Sequence, residues 1–166
     1  MKNMVSWVVW GLLLVRASLG ANAADKVTVT INHQTISAYR TADLESAKKE
    51  AQGAHKPIAW IATSLKVLET GGTISRPDGR GATLHAFFAF RDKAILVFMD
   101  AFEENHKVLP LVDNALHTPN PHYTPPTVVF LDPEAQHVLV TILYEPDYVK
   151  RAKAFGQVLE DIKGKF

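Results

Sequence analysis

The chain has 166 residues, with 18 basic and 17 acidic side chains, a formal net charge of +1 and no cysteine. So even a balance argues against nucleic acid or an anionic membrane as the main partner. The missing cysteine excludes disulfides, thiolate nucleophiles and Cys-ligated metal sites.

The N-terminus reads as an export signal. Lys2 supplies a positive start, and Val5 to Val15 is an apolar run that ends before Arg16. A membrane-spanning helix needs about 20 apolar residues, and this run is shorter. Ala21-Asn22-Ala23 has the small-x-small form that signal peptidase cleaves. Residues 1–23 are therefore expected to be a signal peptide, and residues 24–166 one domain, periplasmic or secreted. Loss of Lys2 and Arg16 turns the formal net charge from +1 to −1.

In chain order, Lys26 to Ile31 alternates between Val27, Val29, Ile31 and the intervening threonine positions, which predicts a half-buried strand. Residues 32–40 read as a mixed connection. From Thr41, Leu44, Ala47, Ala51 and Ala54 recur on one helix face, with Asp43 and Glu45 near the positive end of the dipole. Ile58 to Ala62 is a continuous apolar run, as expected of a central strand covered on both faces. Gly71 to Gly81, with its Gly, Pro and Asp residues, predicts an irregular loop. Leu84, Phe87, Phe88 and Arg91 predict a short buried helix over Thr83 to Arg91, and Ala94 to Met99 a second apolar strand. Glu103 to Leu116 has helical spacing, but Pro110 must kink that helix or begin its second half. His117 to Pro126 is a proline-rich loop, and Thr127 to Leu131 a strand. Asp132-Pro133-Glu134-Ala135 suits a type I turn leading into a returning strand, His137 to Leu143. Val149, Ala152, Phe155, Leu159 and Ile162 predict a final amphipathic helix starting near Asp147. The order is β-α-β-α-β-α-β-β-α, an α/β fold whose mixed sheet carries helices on both faces.

Three segments in that order carry a family likeness. They are the small-residue helix leading into His55-Lys56-Pro57-Ile58-Ala59-Trp60, the apolar strand ending at Asp100, and Pro126-Thr127-Val128-Val129-Phe130-Leu131-Asp132. Over residues 41–164 the chain resembles the thioredoxin-like superfamily. The resemblance implies a thioredoxin-like mixed sheet and a cis peptide bond before Pro126, which would face the redox motif of catalytic members. That motif, a CxxC at a helix N-terminus, would fall near Val67-Leu68-Glu69-Thr70, where no cysteine stands. The buried acid of catalytic thioredoxins is also missing from the apolar run Ile58 to Ala62.

What the resemblance leaves is a groove between residues 63–70 and residues 124–127, with the Gly71 to Gly81 loop alongside. Ser64, Lys66, Val67, Thr70, Tyr123, Pro126 and Thr127 are its candidate lining. An open strand edge there suits a peptide or a periplasmic protein as partner, since extended segments pair with such edges. Neither a cofactor nor, after cleavage, a membrane is expected. The rival reading is a hydrolase or metal-dependent enzyme using His85, His117 and His122. It requires imidazoles converging on one pocket with an acid or hydroxyl. Gly71-Gly72 and Gly79-Arg80-Gly81 match neither the Walker pattern nor G-x-G-x-x-G, so a phosphate cradle is not implied. Trp60, Phe87, Phe88, Phe90 and Phe98 read as core.

Overall fold

The computed structural model describes residues 26–31, 33–66, 73–103, 108–118 and 122–165. The expected signal peptide lies outside the described residues. Strands β1 (Lys26–Ile31) and β2 (Gln34–Arg40) form an antiparallel hairpin, with Ile31 opposite Gln34 and His33 at φ 63. The connection expected over residues 32–40 is thus mostly a strand. Its inward residues Ile36 and Ala38 alternate with exposed Thr35 and Ser37, a contrast too small to stand out in the sequence.

A 3₁₀ turn at Thr41–Asp43 runs into α1 (Leu44–Ala54), which His55 ends in the left-handed region at φ 51. Strand β3 (Ile58–Thr63) is buried throughout. Helix α2 (Gly79–Phe90) starts four residues before the expected Thr83, because Asp78 caps it by accepting the Gly81 N–H at 2.9 Å. Gly79 and Gly81 therefore belong to the helix and not to the preceding loop. Strand β4 (Ile95–Asp100) follows. Helix α3 spans only Pro110–His117, so Pro110 begins the helix and does not kink it. At the first helical position its missing N–H is one that no helix bonds anyway. Strands β5 (Thr127–Leu131) and β6 (Val138–Ile142) and helix α4 (Tyr148–Ile162) complete the domain.

The sheet order is β1-β2-β4-β3-β5-β6. Strands β2, β4 and β3 are parallel, while β5 runs antiparallel to β3, and β6 to β5. This is the expected mixed α/β fold with one strand more. Alternation within the central strands feeds two cores. Ala59, Ile61, Leu96, Phe98, Val128 and Phe130 pack under α2 and α4 with Leu84, Phe87, Phe90 and Phe155. Ile58, Trp60, Val97, Met99, Val129 and Leu131 pack under α1 and α3 with Ala47, Ala51, Val112 and Leu116. The helices thus cover both faces. Residues on α4 differ from expectation: the buried row is Arg151, Phe155, Val158 and Ile162, while Val149 is exposed.

Candidate functional site

The strand directions bring several chain segments to one end of the sheet. Parallel β3 and β4 end there at Thr63 and Asp100, and antiparallel β5 begins there at Thr127, opposite Ala62. In open α/β sheets, ligands bind outside the carboxyl ends of the strands. Helix α2 also begins at this end. A Cβ built on Gly79 would lie 3.4 Å from the Pro125 carbonyl oxygen and 3.8 Å from Pro126 Cδ. Among the described residues, the α2 N-terminus lies against Pro126, and the Pro125–Pro126 bond is cis, as the resemblance implied. The buried Thr63 and Thr83 hydroxyls, 2.7 Å apart, join β3 to α2 just behind.

The sequence-derived candidates divide. Pro126 is buried at the base of the groove. Thr127 is fully buried, and its hydroxyl donates to the Thr124 carbonyl at 3.1 Å, so it shapes the groove and does not face a ligand. Tyr123 is half-buried, edge-on to His117 with ring centroids 5.4 Å apart. Burial, and then the carboxylates of Asp113 and Asp100, raise its phenol pKa, which keeps it protonated and able to donate. Ser64 is half-buried and Lys66 exposed, while Val67 and Thr70 lie outside the described residues.

Asp100 and Phe102 belong to this end as well, though no motif marks them. The Asp100 carboxylate accepts the Leu65 N–H at 3.2 Å and the Phe102 N–H at 3.1 Å, tying the segment after β3 to the turn after β4. That turn presents Phe102 with its side chain 72% exposed. Below Pro126, the space left between α2, β6 and Phe155 is about 10 Å³, room for about one water at most.

Arg151 was not legible as a site residue, yet it holds the groove's outer wall. It is 2% exposed, and each of its five N–H groups has an acceptor. Nη2 donates to the carbonyls of Ile74 (2.8 Å) and Arg76 (3.3 Å) in the loop before α2. Nη1 donates to those of Glu145 (2.7 Å) and Pro146 (3.1 Å). Nε donates to His85 Nδ1 at 3.2 Å, which fixes the His85 proton on Nε2. Its sequence signal is a position four residues before Phe155, on the apolar row of α4. The loop presses against α2 as well: a Cβ on Gly81 would lie 2.4 Å from the Arg76 carbonyl oxygen.

The histidines of the rival reading do not meet. His85 lies on α2, packed between the tilted rings of Tyr148 and Phe155 at centroid distances of 5.0 and 4.9 Å. His117 ends α3 on the opposite face of the sheet, with Nδ1 2.8 Å from the Asp113 carbonyl oxygen. His122 is exposed. Among the described residues, no group of three His, Cys, Asp or Glu side chains could hold a metal ion.

No family model matches the chain, and no curated protein does. Among solved structures, one described as "DsbH Oxidoreductase" is 15% identical, with 90% of this chain and 95% of that one covered, at a TM-score of 0.38. A superposition that loose leaves the oxidoreductase activity with that chain. The class defined here, an α/β domain with a thioredoxin-like mixed sheet, rests on strand order and on the arrangement around Pro126.

Proposed function

We propose that this is an exported, non-redox thioredoxin-like protein that binds an extended peptide or protein segment at the groove beside Pro126. One observation carries the reading. Backbone pairing of β5 with β3 stops at Thr127, and residues 122–126 continue past it along the α2 N-terminus. Within that stretch, residues 123–126 form no backbone–backbone hydrogen bond to any other described residue. The Tyr123 and Thr124 N–H groups suit pairing with a second chain, with Tyr123 itself and Phe102, exposed at the same end of the sheet, as aromatic anchors. Thiol–disulfide exchange is excluded from the proposal because the attacking group must be a thiolate, and the sequence has none.

Peptides selected from a random library against the mature domain test the reading by calorimetric titration. Tyr123→Ala and Phe102→Asp are each expected to weaken binding more than about tenfold, the effect of losing an anchor worth at least ~1.4 kcal/mol. Wild-type affinity in both variants would refute the groove.

A further inference from the structure

A buried guanidinium normally lies against a carboxylate. Among the described residues, no carboxylate lies within hydrogen-bonding reach of Arg151; four backbone carbonyls and one neutral imidazole take its five donors instead. The four carbonyls belong to two loops, residues 74–76 and 145–146, so the guanidinium knots them together. The imidazole is the one acceptor of the five that a proton can remove. His85 is 7% exposed and enclosed by Arg151, Tyr148 and Phe155. Protonated at Nδ1, it would set a second cation against the first in a buried place, with a donor facing a donor.

We propose that the Arg151–His85 contact is an acid-operated latch. Protonation of His85 turns the guanidinium away and releases residues 73–78, and with them the start of α2 beside Pro126. The groove's role in binding rests on the reading above; the latch itself does not. A His85 pKa lowered to about 4, by burial first and the Arg151 charge second, agrees with a latch closed at neutral pH. The charged and titratable groups facing the knot are Tyr144, Glu145, Asp147 and Tyr148 from the segment entering α4. From the loop, Arg76 contributes its backbone carbonyl, while the Asp78 carboxylate accepts the Gly81 N–H as the cap of α2. The Glu145 carboxylate accepts the Asp147 N–H at 2.8 Å, and that of Asp147 accepts the Lys150 N–H at 2.8 Å. Acid can neutralise these carboxylates too, so the experiment must separate them from His85.

Absence of cysteine makes this direct. Ser75 is exposed in the loop, so Ser75→Cys provides the sole thiol for a nitroxide label. Spectra of the labelled protein are recorded from pH 7 down through the His85 titration, which is followed by NMR of its ring in the same protein. The expected result is one step in nitroxide mobility that follows the ring titration. That step should be lost in His85→Asn, whose Oδ1 accepts in the place of Nδ1 and does not titrate. A step that persists in His85→Asn assigns the release to carboxylates and overturns the proposal. So does a ring that titrates with no change in the label. If His85→Asn does not fold, the comparison of ring and label in the histidine-containing protein decides. Loop mobility is read without any ligand, so failure of the latch is distinct from failure of the groove.

Discussion

Replacing Arg151 by lysine keeps the charge and most of the stem, and thereby isolates the planar array of donors. A guanidinium supplies five N–H groups in one plane, and here all five are used. An ammonium supplies three in a tetrahedron, so at least two of the five acceptors lose their partner. A hydrogen bond from a charged group contributes about 1.5–3 kcal/mol, which puts the loss at ~3 kcal/mol or more. Burial adds to it: at 2% exposure, water does not reach the guanidinium to replace the missing contacts. Total stability for a domain of this size is about 5–15 kcal/mol, so the change is large. In urea at pH 7, with a slope of about 1–3 kcal/mol per M, the midpoint should fall by roughly 1–3 M. Arg151→Met, which also removes the charge, gives the companion value. A lysine variant whose midpoint stays at the wild-type value would refute the claim that the knot stabilises the fold.

Two further outcomes follow from the same region. His85 stays neutral in the folded protein down to about pH 4, whereas an ordinary histidine takes its proton below about 6.5. The unfolded chain therefore binds more protons between those values, and stability falls as pH drops from about 6.5 to about 4, by at most ~3 kcal/mol. Urea titrations across that range should show the fall, and in His85→Asn the part due to histidine should vanish. Gly81→Ala should destabilise the domain by about 1–2 kcal/mol despite the helix propensity gained, since its Cβ would sit 2.4 Å from an oxygen of a loop that Arg151 holds. Gly156→Ala in α4 meets nothing within 4 Å and should raise the thermal midpoint instead; equal shifts in the two variants would contradict the packing argument.

The parts of the fold legible in the sequence are those where burial alone decides. Ile58 to Ala62 and Ile95 to Met99 are apolar without a break because helices cover both faces, and such runs announce central strands. The Asp132 to Ala135 turn was equally readable, and it closes with the Ala135 N–H donating to the Asp132 carbonyl at 2.9 Å. Strand β2 was hidden because its contrast between faces is weak and its hairpin turns at His33, where glycine would have been the usual signal. Around the candidate site, the cis bond before Pro126 was legible from the resemblance. The α2 N-terminus was not. It is far from β3 in sequence, and its place beside the proline shows only in the closeness of Gly79 to Pro125; the expected window at residues 67–70 lies outside the described residues. Arg151 was hidden for a different reason: an arginine on a surface helix reads as solvated until four backbone carbonyls are seen to converge on it.

Binding at the groove beside Pro126 is tested most directly by site-specific photo-crosslinking of residues 24–166 in an extract of the source cells. A photoreactive residue is placed in turn at Phe102, at Tyr123 and, as controls on other surfaces, at Val138 and Lys153. The account predicts one common partner trapped from positions 102 and 123, competed by unlabelled wild-type protein and not by Tyr123→Ala. Adducts formed only from positions 138 or 153, with none from 102 and 123, would contradict it.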